Sequence, residues 1–174
     1  LEVGNNTVTG NGLAGIRVNA MKNLPTIDGN VIDGNRWGIY LTGDKLAPLT
    51  TTYTFVGLAV TGSTQEGLYA EDLTLQLRGC KVVGSAGADL AVRRGRIDCY
   101  STTVGYLSGN VYESGHLHVW WRVDIDVRWQ SGVPVPSARV LMASHANNET
   151  YRELETDASG HISYFNAEEW SKVD

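Results

Sequence analysis

Residues 27–41 read Ile27-Asp28-Gly29-Asn30-Val31-Ile32-Asp33-Gly34-Asn35-Arg36-Trp37-Gly38-Ile39-Tyr40-Leu41. Short apolar bursts are separated by Asn and Gly, in the pattern I-x-x-N-x-I-x-x-N-x-x-G-I-x-L. The pattern recurs on both sides. Upstream it is carried by Val3, Asn6, Val8, Asn11, Gly15, Ile16 and Val18. Downstream it returns in Phe55, Leu58, Val60, Ser63, Gly67, Leu68 and Ala70, and again in Leu77, Cys80, Val82, Ser85, Asp89, Leu90 and Val92. First positions at 3, 27, 55 and 77 give periods of 24, 28 and 22 residues, and a fifth coil is expected to begin at Ile97.

A period of this size built from β-type bursts indicates a β-solenoid. No burst is long enough to bury its own apolar face, so the coils must stack into one continuous core. The spacing is constant within bursts and variable between them, which places the length changes in loops. Stacking puts Asn6 beside Asn30, where an amide with both donors and an acceptor can bond along the stack. The shared Gly at 15, 38 and 67 is expected where a side chain would hinder the backbone, and Asp89 breaks that series. The chain opens in mid-pattern, which reads as a piece of a longer solenoid.

The coils N-N-T-V-T-G-N…A-G-I-R-V, from Asn5, and G-N-V-I-D-G-N-R-W-G-I-Y-L, from Gly29, resemble the right-handed parallel β-helix repeat family. The resemblance covers about residues 1–100. It implies a fold shared by pectin-active enzymes, other carbohydrate-active enzymes and many non-catalytic surface proteins.

Composition narrows the classes. The chain has 174 residues, a net charge of -5 and a pI near 5.3, so no basic footprint points to nucleic acid. Residues 1–115 carry 9 Lys/Arg against 10 Asp/Glu, whereas residues 116–174 carry 5 against 9. No apolar run is long enough for a membrane span. Cys80 and Cys99 belong to no metal-spaced motif and read as two independent thiols.

The pattern changes after a Gly/Ser/Tyr stretch. Leu117, Val119, Trp121, Val123, Ile125, Val127 and Trp129 alternate with polar residues, the signature of a half-buried strand. Turn signals at Ser131-Gly132, at 145–148 and at 157–160 separate further strands, as in a β-sandwich. Val127-x-Trp129-x-x-Gly132-x-Pro134-Val135-Pro136-x-Ala138-x-Val140, followed by Thr156-Asp157-Ala158-Ser159-Gly160, resembles the carboxypeptidase regulatory-like, transthyretin-like family. That resemblance implies a small non-catalytic module of secreted and surface proteins. The expected organisation is therefore all-β: parallel β-helix coils over 1–110, a connector at 111–115, and a partial antiparallel β-sandwich over 116–174, cut short at its end.

A polysaccharide lyase needs clustered carboxylates for a cation, with a basic proton acceptor. Glu66, Glu71, Asp72 and Asp89, with Lys81, Arg93, Arg94 and Arg96, are the residues that stacking could gather. Calcium would enter only under that lyase-like reading, and no cofactor is otherwise implied. Strand-to-loop charges are usually solvated, so these arginines read first as structural and second as contacts for a sugar acid. Asp28 and Asp33 are explained by turns before catalysis. His116 and His118 share a strand face, and no third ligand follows at metal spacing, although His145 and His161 could approach. The loop from Thr42 to Tyr53, with Asp44 and Lys45, is a place where binding residues often sit. Trp37 and Trp120 are the better sugar-stacking candidates, because Trp121 and Trp129 fall on the apolar face. Asn148 lies in an N-x-[ST] acceptor within an expected turn.

The expected role is non-catalytic, extracellular or surface-displayed, and structural, adhesive or carbohydrate-contacting. A polysaccharide or cell-wall glycan is the candidate partner. The competing class is a lyase or glycoside hydrolase whose active coils lie upstream.

Overall fold

The computed structural model describes residues 2–21, 24–45, 51–105, 108–143 and 150–174. All its regular elements are strands. Three sheets of parallel strands form a β-solenoid of about five turns. The first sheet contains β1 (Thr7–Thr9), β3 (Val31–Asp33), β6 (Ala59–Thr61), β9 (Lys81–Val83) and β12 (Thr103–Val104). The second contains β2 (Ala14–Met21), β4 (Trp37–Gly43), β7 (Leu68–Glu71), β10 (Leu90–Arg93) and β13 (Gly109–Tyr112). The third contains β5 (Thr52–Val56), β8 (Thr74–Arg78), β11 (Arg96–Tyr100) and the first part of β14 (His116–Asp126), with β17 (His161–Val173) at its edge. Among the described residues no helix is long and apolar enough to cross a membrane.

The bursts seen in sequence are the inward rows of these sheets. Ile32, Val60 and Val82 stack in register in the first sheet, and Ile39, Leu68 and Leu90 in the second. Leu75, Ile97 and Leu117 do the same in the third. All nine are fully buried. Each such side chain contributes about 1.5–3 kcal/mol by leaving water, so the core is a sum of rows rather than a single cluster.

Polar side chains inside the solenoid are matched to backbone. Asn30 and Asn35 are fully buried. Asn35 accepts the backbone N–H of Asn11 at 2.8 Å and donates to Val8 O at 3.1 Å. The row from Asn6 and Asn30 continues through Leu58 and Cys80 to Thr102, which donates to Leu77 O at 3.1 Å and takes over the amide's task.

The fifth coil therefore differs from its expected register. Leu77 pairs with Cys99, not Ile97, and Cys80 is followed by Thr102, not Tyr100. The shared Gly position also has a cause other than backbone shape. A Cβ on Gly38 would lie 2.3 Å from Gly67 O and 2.3 Å from Val60 Cγ1, so the constraint is space between coils. Asp89 is accommodated because its carboxylate accepts N–H bonds from Ser85 and Gly105, each at 2.9 Å.

One corner of each coil carries a left-handed residue: Asn5, Gly29, Gly57, Gly79 and Ser101, with φ between 48° and 65°. Each donates its N–H to the residue at the end of the next coil's strand, from Asn5 to Asp28 O at 3.1 Å through to Ser101 to Trp120 O at 2.9 Å. Left-handed backbone aims the N–H along the stack, which is why Gly, Asn and a small Ser fill the corner. The next residue in this series is Trp121. There the chain does not turn, and β14 runs on to Asp126.

Residues 1–121 with 168–174 form one compact unit and residues 122–167 another. The alternating strand that was expected to open a separate module thus begins as a solenoid rung, with His116–Trp120 parallel to Arg96–Tyr100. Leu117 and Val119 continue the core rows of Ile97 and Cys99, which explains the placement. Residues 168–174 likewise belong to the solenoid unit rather than ending a sandwich. Asp174 N donates to Gly115 O at 3.3 Å and Val127 N to Gly160 O at 2.8 Å, so β17 runs opposite to β14.

The smaller unit contains an antiparallel pair, β15 (Arg139–Ala143) with β16 (Thr150–Glu155). Thr156, 4 % exposed, links two segments by accepting from Ala138 N and donating to Val135 O. Asp157 closes the turn at 157–160 by accepting the N–H groups of Ser159 and His161. Ile162 is the buried apolar side chain of this unit among the described residues, while Trp129, Val133 and Leu141 are exposed.

Candidate functional site

The outer face of the second sheet gathers aromatic and charged side chains. Alternation along each strand turns Arg17, Tyr40, Tyr69, Ala91 and Asn110 outward, and the parallel register lines them up across the coils. Tyr40 and Tyr69 stack with ring centres 4.8 Å apart and planes 12° apart. That spacing matches neighbouring strands, so the rings pile along the solenoid axis. The Arg17 guanidinium lies 5.3 Å from the Tyr40 ring centre. Trp37 meets Tyr40 edge-on at 5.6 Å, carries Arg36 over its ring at 4.5 Å, and donates its indole N–H to Glu66 at 2.8 Å.

Two depressions flank the tyrosine stack. The smaller, about 110 Å³, is lined by Leu13, Ala14, Arg17, Trp37 and Tyr40. The larger, about 440 Å³, is lined by Glu66, Tyr69, Arg93, Val111, Tyr112, Glu113 and Asp174.

Beside the larger pocket lies an ion network. Arg94 makes a two-point contact with Asp72 at 2.9 and 3.0 Å and also binds Glu71 and Glu113. Arg93 binds Glu113 and approaches Glu71 at 3.9 Å. Arg93, then Arg94, hold the Glu113 carboxyl down at about 2. Asp72 first, and then Glu113, raise the Arg94 guanidinium above its ordinary value. Burial, and after it the hydrogen bond to Glu71, pushes the Tyr69 hydroxyl well above the usual phenol range.

The sequence candidates separate under this geometry. Trp37 and Arg93 lie on the second-sheet face. Arg94 is spent on the carboxylates named above. Arg96 faces the third sheet instead, where its Nε donates to Asp98 at 2.7 Å. Trp120 is also on that sheet, 6.0 Å from the His118 ring in a near-parallel stack. Asp44 and Lys45 open the loop after β4 and line neither pocket. Asn148 and His145 lie outside the described residues.

The other acids and histidines have local partners. Asp28 accepts Val56 N–H at 2.7 Å, and Asp33 accepts the Thr61 hydroxyl, so each carboxylate ties its turn to the next coil. His118 Nδ1 meets Glu168 at 2.6 Å and His161 Nδ1 meets Asp126 at 3.0 Å. Among the described residues no group of three or more His, Cys, Asp or Glu is placed to hold a metal ion. Both cysteines are free and buried, and burial pushes both thiols up.

Tyr40, Tyr69 and Tyr112 did not stand out in the sequence. The signal was present, because Tyr40 lies between Ile39 and Leu41 just as Tyr69 lies between Leu68 and Ala70. A residue between two inward ones must face out, so the repeat itself marks them.

Compared with known protein families, with curated proteins and with solved structures, the chain matches none.

Proposed function

We propose that the chain is a non-catalytic β-solenoid that contacts carbohydrate through the outer face of its second sheet. In this reading the coils are right-handed parallel β-helix repeats, and residues 122–167 are part of a carboxypeptidase regulatory-like module. The protein works outside the cell or at its surface. The observation that carries the reading is the outward line of Trp37, Tyr40 and Tyr69 between two pockets. Aromatic side chains with a polar tip provide apolar area and hydrogen bonding together, as a sugar requires. The carboxylates beside the larger pocket are engaged by Arg93 and Arg94, which favours binding over acid–base chemistry.

The test is a glycan array probed with the whole chain and with Trp37→Ala and Tyr40→Ala. Binding that both substitutions weaken supports the reading. Release of unsaturated or reducing ends from polysaccharide would replace it with an enzyme. Silence on glycans together with capture of a cell-wall protein would replace it with adhesion.

A further inference from the structure

The aromatic row on the second sheet carries two guanidiniums unlike the others on this face. Arg17 lies over the Tyr40 ring and Arg36 over the Trp37 ring. Neither forms an ion pair with any described residue. Arg17 spends only its Nε, on Asn19 Oδ1 at 3.2 Å. The Glu66 carboxylate on this face is turned to the Trp37 indole N–H rather than to either guanidinium. The arginines that the sequence offered for a sugar acid are all engaged, Arg93 by Glu113, Arg94 by Asp72 and Arg96 by Asp98. An arriving acid would have to displace a carboxylate from each of those three. At Arg17 it would displace none.

Stacking also decides what a ligand meets here. β4 lies between β2 and β7, so Arg17 and Tyr69 cover opposite faces of Tyr40. A sugar therefore reaches the edge of that ring and the guanidinium laid on it. A guanidinium held flat on a ring has given up part of its freedom beforehand, and its planar fork matches two oxygens of a carboxylate or sulfate. The smaller depression has Arg17 as its single charged wall, the rest being Leu13, Ala14, Trp37 and Tyr40. Leu13 is 58 % exposed, an apolar surface that the C–H groups of a sugar can cover. At about 110 Å³ the depression is well below the roughly 300 Å³ at which pockets begin to enclose a whole ligand. It suits one acidic substituent and the ring edge that bears it.

We infer that this depression is an oxyanion subsite for an acidic sugar, a ring whose carboxylate or sulfate sits on the Arg17 fork and whose apolar edge rests on Leu13. Arg36, stacked on the neighbouring Trp37, adds a second unpaired positive charge. The inference rests on the carbohydrate-contacting reading of this face and names a ligand class within it.

The experiment is a calorimetric titration of the whole chain with two pairs of oligosaccharides. One pair is a galacturonate oligomer and its methyl ester. The other is a sulfated galactose oligomer and its unsulfated form. In at least one pair the acidic member should bind about tenfold tighter, the scale of one charge-assisted contact, and the pair that shows it tells carboxylate from sulfate. Added salt should shrink the difference. Arg17→Gln should bring the acidic member down to the affinity of its neutral partner. Arg17→Lys should restore only part of the preference, since an ammonium lacks the fork. Arg17 is exposed, so neither substitution touches the core. Arg78→Gln is the control. Arg78 is likewise stacked on a tyrosine, 4.7 Å from the ring centre of Tyr100 on the third sheet, and its loss should leave the preference in place.

Equal binding within both pairs would overturn the acid selection and leave the carbohydrate reading intact. A preference that survives Arg17→Gln would place the anion elsewhere and overturn the site. A preference that Arg78→Gln removes as fully as Arg17→Gln would reduce it to general charge attraction, with the same consequence. Absence of binding by all four oligomers, alongside a silent glycan array, would overturn both readings.

Discussion

Asn30 joins two coils through one side chain: its Oδ1 accepts the backbone N–H of Asn6 at 2.9 Å, while its Nδ2 donates to Val3 O and Ile27 O at 2.6 Å. The Asn30 side chain and Ile27 are fully buried, so the Ile27 carbonyl relies on this amide, whereas Asn6 lies at the exposed end of the ladder. Asn30→Ala should therefore lower stability by about 3 kcal/mol, because buried polar groups are left without partners. Urea unfolding followed by circular dichroism checks this. A loss within experimental error would mean that the amide ladder is dispensable.

Two glycines separate the demands of space and of backbone. At Gly38 a Cβ meets Gly67 O and Val60 Cγ1, both at 2.3 Å, so Gly38→Ala must push adjacent coils apart. The expected cost is about 2–3 kcal/mol, as for other overpacked cores. At Gly57 nothing lies within 4 Å and φ is +65°, so Gly57→Ala should cost only about 1 kcal/mol, from left-handed backbone. The comparison of unfolding midpoints fails if Gly57→Ala is the more damaging.

Acid should reach the network beside the larger pocket through Glu113. Its carboxyl has an ordinary value of 4.5 and is held near 2 by Arg93 and Arg94. A depressed folded value means that the contribution is complete above 4.5 and is lost as pH falls toward 2. Glu113→Gln should flatten this part of the stability–pH curve, and salt should shrink the difference, since these groups are exposed. Identical acid limbs in the two proteins would exclude this pairing as a source of pH dependence.

The thiols offer a measure of core integrity. Cys99 is fully buried and Cys80 is 3 % exposed, and burial raises both. Neither should react with Ellman's reagent in the native protein near neutral pH, and both should react in denaturant. A fast native reaction at either position would mean that the coils open locally.

The repeat was legible where each coil repeats its full set of inward residues. Ile32, Ile39, Val60 and Leu68 carry the period directly. It became obscure in the fifth coil, where the arc from β12 to β13 is shorter than that from β9 to β10 and Thr102 replaces an amide. Ile97 then offers a plausible but shifted start, although Cys99 is the partner of Leu77. The strand from His116 posed a different problem. Its alternation of Leu117 and Val119 with polar residues specifies one buried face, but not whether its neighbour runs parallel or antiparallel. The pocket was harder still. Its lining residues Tyr69, Arg93 and Tyr112 come from three different coils, and only the register brings them together.

The reversal of β17 against β14 has a bearing on self-association. A stack of parallel rungs has no intrinsic length, since each open edge is a template for another strand. Here β17 lies against β14 with opposite polarity, so this edge of the third sheet lacks the parallel template that the coils offer one another. Lys172 then places its ammonium on Gly109 O, at 2.8 Å, against the last strand of the second sheet. Polarity at one edge and an ammonium at the next cover two of the solenoid's rows, a safeguard against edge-to-edge growth that is independent of how many coils precede them.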